Sequence, residues 1–173
     1  MLEEMINRFS KRIRVASSEK RYTDTVKILD ELRAELRAKP PEESEVLVLL
    51  RKIYESNSVS DARFGFIAAW SNPSSAYVPI LCEMVASEEC KDVHEPAIEL
   101  LCELKDARAF EILKKAVSYR WEYDQWLHVP RKALLGLSRI GGHEAIEIIK
   151  AAVYSKEEEI QNEAIEILEE LDS

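Results

Sequence analysis

Ten consecutive residues, Tyr119-Arg120-Trp121-Glu122-Tyr123-Asp124-Gln125-Trp126-Leu127-His128, gather four aromatic rings, an arginine, two carboxylates and a histidine. Trp, Tyr and Arg carry much of the energy of protein interfaces, because they bury large areas with few rotatable bonds. Trp121, Glu122, Tyr123, Asp124 and Trp126 are therefore the expected partner-binding residues. The same segment has a structural alternative in which Trp121 and Trp126 cover a core, since aromatic rings also bury large areas in ordinary interiors.

Other reactive groups are sparse and scattered. The His-Glu pairs at His94-Glu95 and His143-Glu144 lack the second histidine four residues later that a helical zinc-hydrolase site uses, and His128 adds no recognisable ligand spacing. A zinc site needs three or four convergent ligands, so no metal is expected. Cys82 and Cys102 fall among apolar helix positions and read as small hydrophobes, with no motif for a nucleophile around them. No GxSxG, P-loop or GxGxxG occurs among only four glycines. The expectation is a protein with no cofactor and no catalytic residue.

Charge narrows the partner. The 173 residues carry 24 Lys plus Arg against 33 Asp plus Glu, a net charge of −9, which argues against nucleic acid and anionic membranes as ligands. Residues 1–39 hold ten basic and seven acidic side chains, so the chain runs from +3 there to −12 over the remainder. Glu157 to Asp172 contains eight acids and no base, which suits a solvated terminal face or a strip for a cationic partner. Near the start, Arg8, Lys11, Arg12 and Arg14 accompany Met5, Phe9 and Ile13, a helix expected to cap its neighbour rather than lie on a membrane. Charges interrupt Met1 to Ile13, so no secretory h-region or membrane span is read there, and three cysteines without a CxxC pair suit a reducing cytoplasm.

The elements that must position these residues are helices. Apolar spacing follows the helical period nearly everywhere, and the run Val46 to Leu50, strand-like in isolation, continues to Ile53 and Tyr54 behind a Ser44 cap as a helix should. Helices are predicted near 2–16, 23–38, 44–56, 61–71, 76–87, 93–104, 107–119, 126–140, 143–154 and 158–171, with Ser155 and Glu158 as a capping box for the last.

The helices repeat. Segment 94–117 lies over 130–153 at a constant offset of 36, which sets Ala97 on Ala133, Ile98 on Leu134, Leu101 on Leu137, Leu104 on Ile140 and Leu113 on Ile149. An offset of 31 continues the series to Ala164, Ile165, Leu168 and Leu171. Val117 to Ala133 is 16 residues and Val153 to Ala164 is 11, so the aromatic segment is an insertion of about five residues, and insertions in repeat proteins map to loops on one face.

A period in the thirties with two helices per unit resembles the HEAT-like repeats, of the PBS-lyase/HEAT type, through Ala97–Leu104, Ala133–Ile140 with Gly141-Gly142, and Ala164–Leu171. The resemblance implies an all-α, right-handed solenoid of about ten helices in a single domain, with an N-terminal helical cap over residues 1–60 and repeats over 61–173. Small acidic helical-repeat chains are also similar to bacterial immunity proteins, which implies an inhibitor that binds a basic partner such as a toxin domain. A scaffold or adaptor subunit is the alternative within binding. A HEAT-like enzyme of the DNA glycosylase or bilin-lyase type is the alternative outside it, with Asp124 in the place of the glycosylases' aspartate.

Overall fold

Leu2, Met5, Ile6 and Phe9 recur at three- and four-residue intervals, which places them on one face of a helix. In the computed structural model, which describes residues 1–19, 21–56 and 59–172, they form the buried face of α1 (Leu2–Ser18). Helix α2 (Tyr22–Ala38) buries Ile28, Leu32 and Leu36 against it. Arg8 reaches Glu35 at 2.5 Å and Arg12 reaches Glu31 at 2.6 Å across the pair. These pairs are exposed, so they align the helices more than they stabilise them.

The strand-like run is indeed helical. Helix α3 (Glu43–Ser56) buries Val46, Leu50 and Ile53 and leaves Val48 70% exposed, a one-sided pattern that only a helix makes from such a sequence. Its start differs from expectation: Ser44 lies inside the helix, and the Glu45 carboxylate accepts from the amides of Glu42 at 3.3 Å and Leu2 at 3.0 Å. Helix α4 (Val59–Ser71) packs on α2 and α3 through a nearly continuous apolar run, with Phe64, Phe66, Ile67, Ala68 and Ala69 buried. Helices α1 to α4 belong to the first of two compact units, Met1–Ala76.

The second unit, Tyr77–Ser173, holds α5 (Val78–Ala86), α6 (His94–Leu104), α7 (Phe110–Ala116), α8 (His128–Ile140), α9 (His143–Ala152) and α10 (Glu158–Asp172). Among the described residues every regular element is helical, and no helix is long and apolar enough to cross a membrane. Several expected helices are shorter than predicted because 3₁₀ turns precede them, at Ser75–Tyr77, Glu88–Val93 and Ala107–Ala109. The expected 107–119 helix stops at Ala116 and the expected 126–140 helix starts at His128, since the insertion between them turns instead. The capping pair of α10 is also shifted: the Ser155 hydroxyl accepts from the Glu157 amide at 3.2 Å and donates to its carboxylate at 2.6 Å, so Glu157 rather than Glu158 closes it.

Within this unit burial follows the register of the sequence repeat. Ala97, Ala133 and Ala164 are each 0% exposed, as are Ile98, Leu101, Leu134 and Leu137. Helix α8 packs on both α6 and α10, α7 packs on α8, and α9 packs on α8 and α10. Gly136 marks the closest approach: a Cβ there would sit 2.8 Å from Cys102 Sγ and 2.9 Å from Leu113 Cδ1. Cys102 Sγ donates to the Lys132 carbonyl at 3.2 Å across the same seam.

The repeats differ at their turns. Helix α8 ends on Gly141 at φ +78°, while α6 ends 36 positions earlier on Lys105 at φ +51°. A side chain in the left-handed region is strained where glycine is not. Lys105→Gly should therefore raise stability by about 0.5 kcal/mol, the relief of strain exceeding the extra entropy of the unfolded chain. Urea denaturation checks it, and a loss of stability would refute it.

Candidate functional site

The aromatic insertion spans the eleven residues Val117–Leu127 between α7 and α8 and is built from tight turns. The Tyr119 amide donates to the Ala116 carbonyl at 3.1 Å, Asp124 to Trp121 at 3.0 Å, and Leu127 to Asp124 at 3.1 Å. Three anchors then fasten it to the helices.

The first anchor is Asp124. The residue is 7% exposed, and its two carboxylate oxygens accept from the amides of His128 at 2.8 Å and Val129 at 2.9 Å. Those amides begin α8, where the helix dipole and the unsatisfied N–H groups favour a negative charge. The next residue back from α8, Leu127, is held at φ +53° so that the chain can enter the helix, and its side chain packs against the cluster of Leu134, Ile149 and Ile160. Asp124→Ala should lower stability by about 1–2 kcal/mol through loss of this cap, as a thermal melt would show, and an unchanged melt would refute the capping role.

The second anchor is Arg120. Its Nη1 donates to the carbonyls of Val117 at 2.9 Å and Tyr119 at 2.7 Å, while Nε and Nη2 hold Glu157 at 2.9 and 3.3 Å. Hydrogen bonds from Arg120, joined by Ser155, pull the Glu157 carboxyl down to about 2. The arginine thus ties the insertion to the turn before α10.

The third anchor is a stack on His94. This ring is 0% exposed at the start of α6, and Trp121 lies against it with centroids 4.1 Å apart. Tyr119 and Tyr123 flank Trp121 at 4.5 and 5.5 Å. His94 Nε2 contacts the Ser87 carbonyl at 2.6 Å, so it carries the proton, and Nδ1 accepts from the Tyr123 hydroxyl. Burial keeps the His94 pKa below its ordinary value against the opposing pull of the Ser87 and Met84 carbonyls. Burial likewise raises the Tyr123 phenol.

The five expected partner-binding residues therefore stand in different surroundings. Asp124 is buried and Trp121 half-buried in the stack, Tyr123 is 46% exposed with its hydroxyl tied inward, and Glu122 and Trp126 are exposed, Trp126 by 67%. His94, Arg120 and Glu157 complete the site without having been singled out for it. Repeat register carried one signal for His94, which stands 36 positions before the buried Pro130.

Electrostatics around the site follow the repeat. Lys132 on α8 pairs with Glu95 at 2.8 Å and with Glu99, and Arg139 pairs with Glu103, all on α6. On the opposite side Arg131 holds Glu163 of α10 at 2.8 Å, and Lys114 of α7 holds Glu144 of α9 at 2.5 Å. Several cations of this acidic unit are thus engaged by acids of neighbouring helices.

Cys82 and Cys102 take no part in these anchors. Burial pushes the Cys102 thiol up to about 12 and the half-buried Cys82 to about 11, far from the thiolate that nucleophilic chemistry needs. Among the described residues no three His, Cys, Asp or Glu side chains converge as a metal site would require. No protein-family model and no curated protein matches the chain.

Proposed function

We propose that the chain is a non-catalytic protein-binding module that presents Trp126, with Glu122 and the exposed edge of Tyr123, to a basic protein partner. The observation that carries this reading is a 67% exposed tryptophan on an insertion otherwise fastened at Asp124, Arg120 and Trp121. A large ring held out on a rigid loop binds without a large ordering cost, which is how pre-organised anchors gain affinity. The excess of acids in residues 40–173 supplies the complementary charge and favours fast capture of a cation-rich surface.

The stacking of α6, α8 and α10, with equivalent alanines at their seams, supports a HEAT-like right-handed solenoid as the scaffold of this surface. An inhibitor of the immunity type, with a basic toxin domain as partner, is the version that charge and repeat favour. Both Asp124 oxygens are taken up by α8 amides, which favours capping over a glycosylase-like role for that carboxylate.

The test uses a photo-reactive analogue at position 126 to trap the partner in cells, followed by titration calorimetry with the purified partner. Trp126→Ala should weaken binding by about 2 kcal/mol and leave the melting temperature within a degree or so, as loss of an exposed hot spot does. Unchanged affinity in that variant would overturn the reading.

A further inference from the structure

The anchor at His94 differs in kind from those at Asp124 and Arg120, because an imidazole changes its charge near neutral pH. The His94 ring is 0% exposed, and both of its nitrogens are committed: Nε2 donates to the Ser87 carbonyl at 2.6 Å, and Nδ1 accepts from the Tyr123 hydroxyl. That arrangement suits the neutral ring. An imidazolium has two donors and sets its Nδ1–H against another O–H, unless Tyr123 turns its own hydrogen away.

The surroundings of the ring pull in both directions. Asp92 in the turn before α6 and Asp124 in the insertion favour the cation, as do the carbonyls of Met84 on α5 and Ser87 just beyond it. The indole face of Trp121 adds a cation–π attraction. Burial opposes all of these and prevails, so the ring in its place holds a proton less readily than a free histidine. Leaving the stack removes that penalty, and each unit of depression favours the detached form by about tenfold once the ring is protonated. The area to be given up is small, since Trp121 is half-buried and Tyr123 is 46% exposed.

We propose that His94 is a pH-sensitive catch: on protonation it releases Trp121 and Tyr123 from α6, so that in mild acid both rings join Trp126 at the surface. Arg120 and Asp124 flank the two rings in sequence and keep the ends of the insertion in place. The Arg120 anchor does not respond in this range, because the Glu157 carboxyl that it holds is drawn down to about 2. Asp124 is bound to the amides of α8 and not to His94. The inference concerns the free chain and stands whether or not Trp126 meets a partner.

The double variant W70F/W126F leaves Trp121 as the sole tryptophan of the full chain, and its quenching by acrylamide is the test. A protonated imidazole quenches an adjacent indole where it stands, so the lifetime-corrected quenching constant is read rather than the intensity. Between about pH 7.5 and about pH 5 this constant should rise about twofold or more, in the range where a histidine titrates. The midpoint should fall below 6.5 and coincide with the titration of His94 itself, followed by proton NMR of the same chain, while the far-UV circular dichroism stays constant. Adding H94Q, with a thermal melt to confirm folding, should abolish the step. A constant that does not change overturns the proposal, for Tyr123 then turns its hydrogen and accepts the proton in place. A step that survives H94Q, that departs from the His94 titration, or that comes with loss of helical signal overturns it equally.

Discussion

Ala133→Glu should cost about 4 kcal/mol or more and lower the melting transition of the second unit by about 16 °C or more, among the largest effects available to a single substitution here. Ala133 is 0% exposed on α8, the helix that packs on both α6 and α10, and Ala97 and Ala164 occupy the same register on those neighbours. A glutamate there either carries its charge into an apolar seam or pushes the helices apart, and the seam beside Gly136 already has no room for another methyl group. Fluorescence and circular dichroism melts of the variant decide the point. A melt equal to that of the parent would mean that the proposed register is wrong.

Removing His94 should be nearly as costly. His94→Ala deletes a fully buried ring, its stack on Trp121 and the partners of both the Ser87 carbonyl and the Tyr123 hydroxyl, an expected loss of about 3 kcal/mol. The same residue makes stability depend on pH. Burial depresses the native pKa below 6.5, so the unfolded chain binds the proton more readily. The contribution of the neutral ring is therefore complete above pH 6.5 and is lost as pH falls from there toward the depressed native value. Urea titrations at about pH 7.5 and about pH 5.5 should show the parent weakening more than His94→Gln, which keeps polar groups but does not titrate. His128 and His143 are exposed and remain in both proteins, so the difference reports on His94 alone. Equal weakening in the two proteins would refute the assignment.

What the sequence discloses about this molecule is local and periodic. The offset of 36 places Ala97 on Ala133 and Ile98 on Leu134, and burial follows, because a repeat that packs on its neighbours must keep small and large residues in step. The Val46–Leu50 run is readable as helix because Ile53 extends it with helical spacing. The insertion is recognisable as extra length, yet its internal division is not. Asp124 has the spacing of a cap only once α8 is known to begin at His128 rather than two residues earlier. The stack of Trp121 on His94 joins residues 27 positions apart in sequence, a contact without a local signature, and Arg120 finds Glu157 across 37. Such contacts depend on where the helices bring their ends, which is a property of the packed unit and not of any window in the chain.

The close seam at Gly136 gives the protein an internal stability gauge. All three cysteines, Cys82, Cys90 and Cys102, belong to the unit Tyr77–Ser173. The Cys102 sulfur faces the Gly136 backbone, donates to the Lys132 carbonyl and has a thiol raised to about 12, so an alkylating reagent reaches it as a thiolate only after α6 and α8 separate. Its labelling rate, divided by that of the same thiol in an unfolded peptide, is the fraction of time this seam stands open. Mass spectrometry of the modified protein thus reads the opening free energy of the α6–α8 pair under native conditions, without denaturant and without an introduced probe.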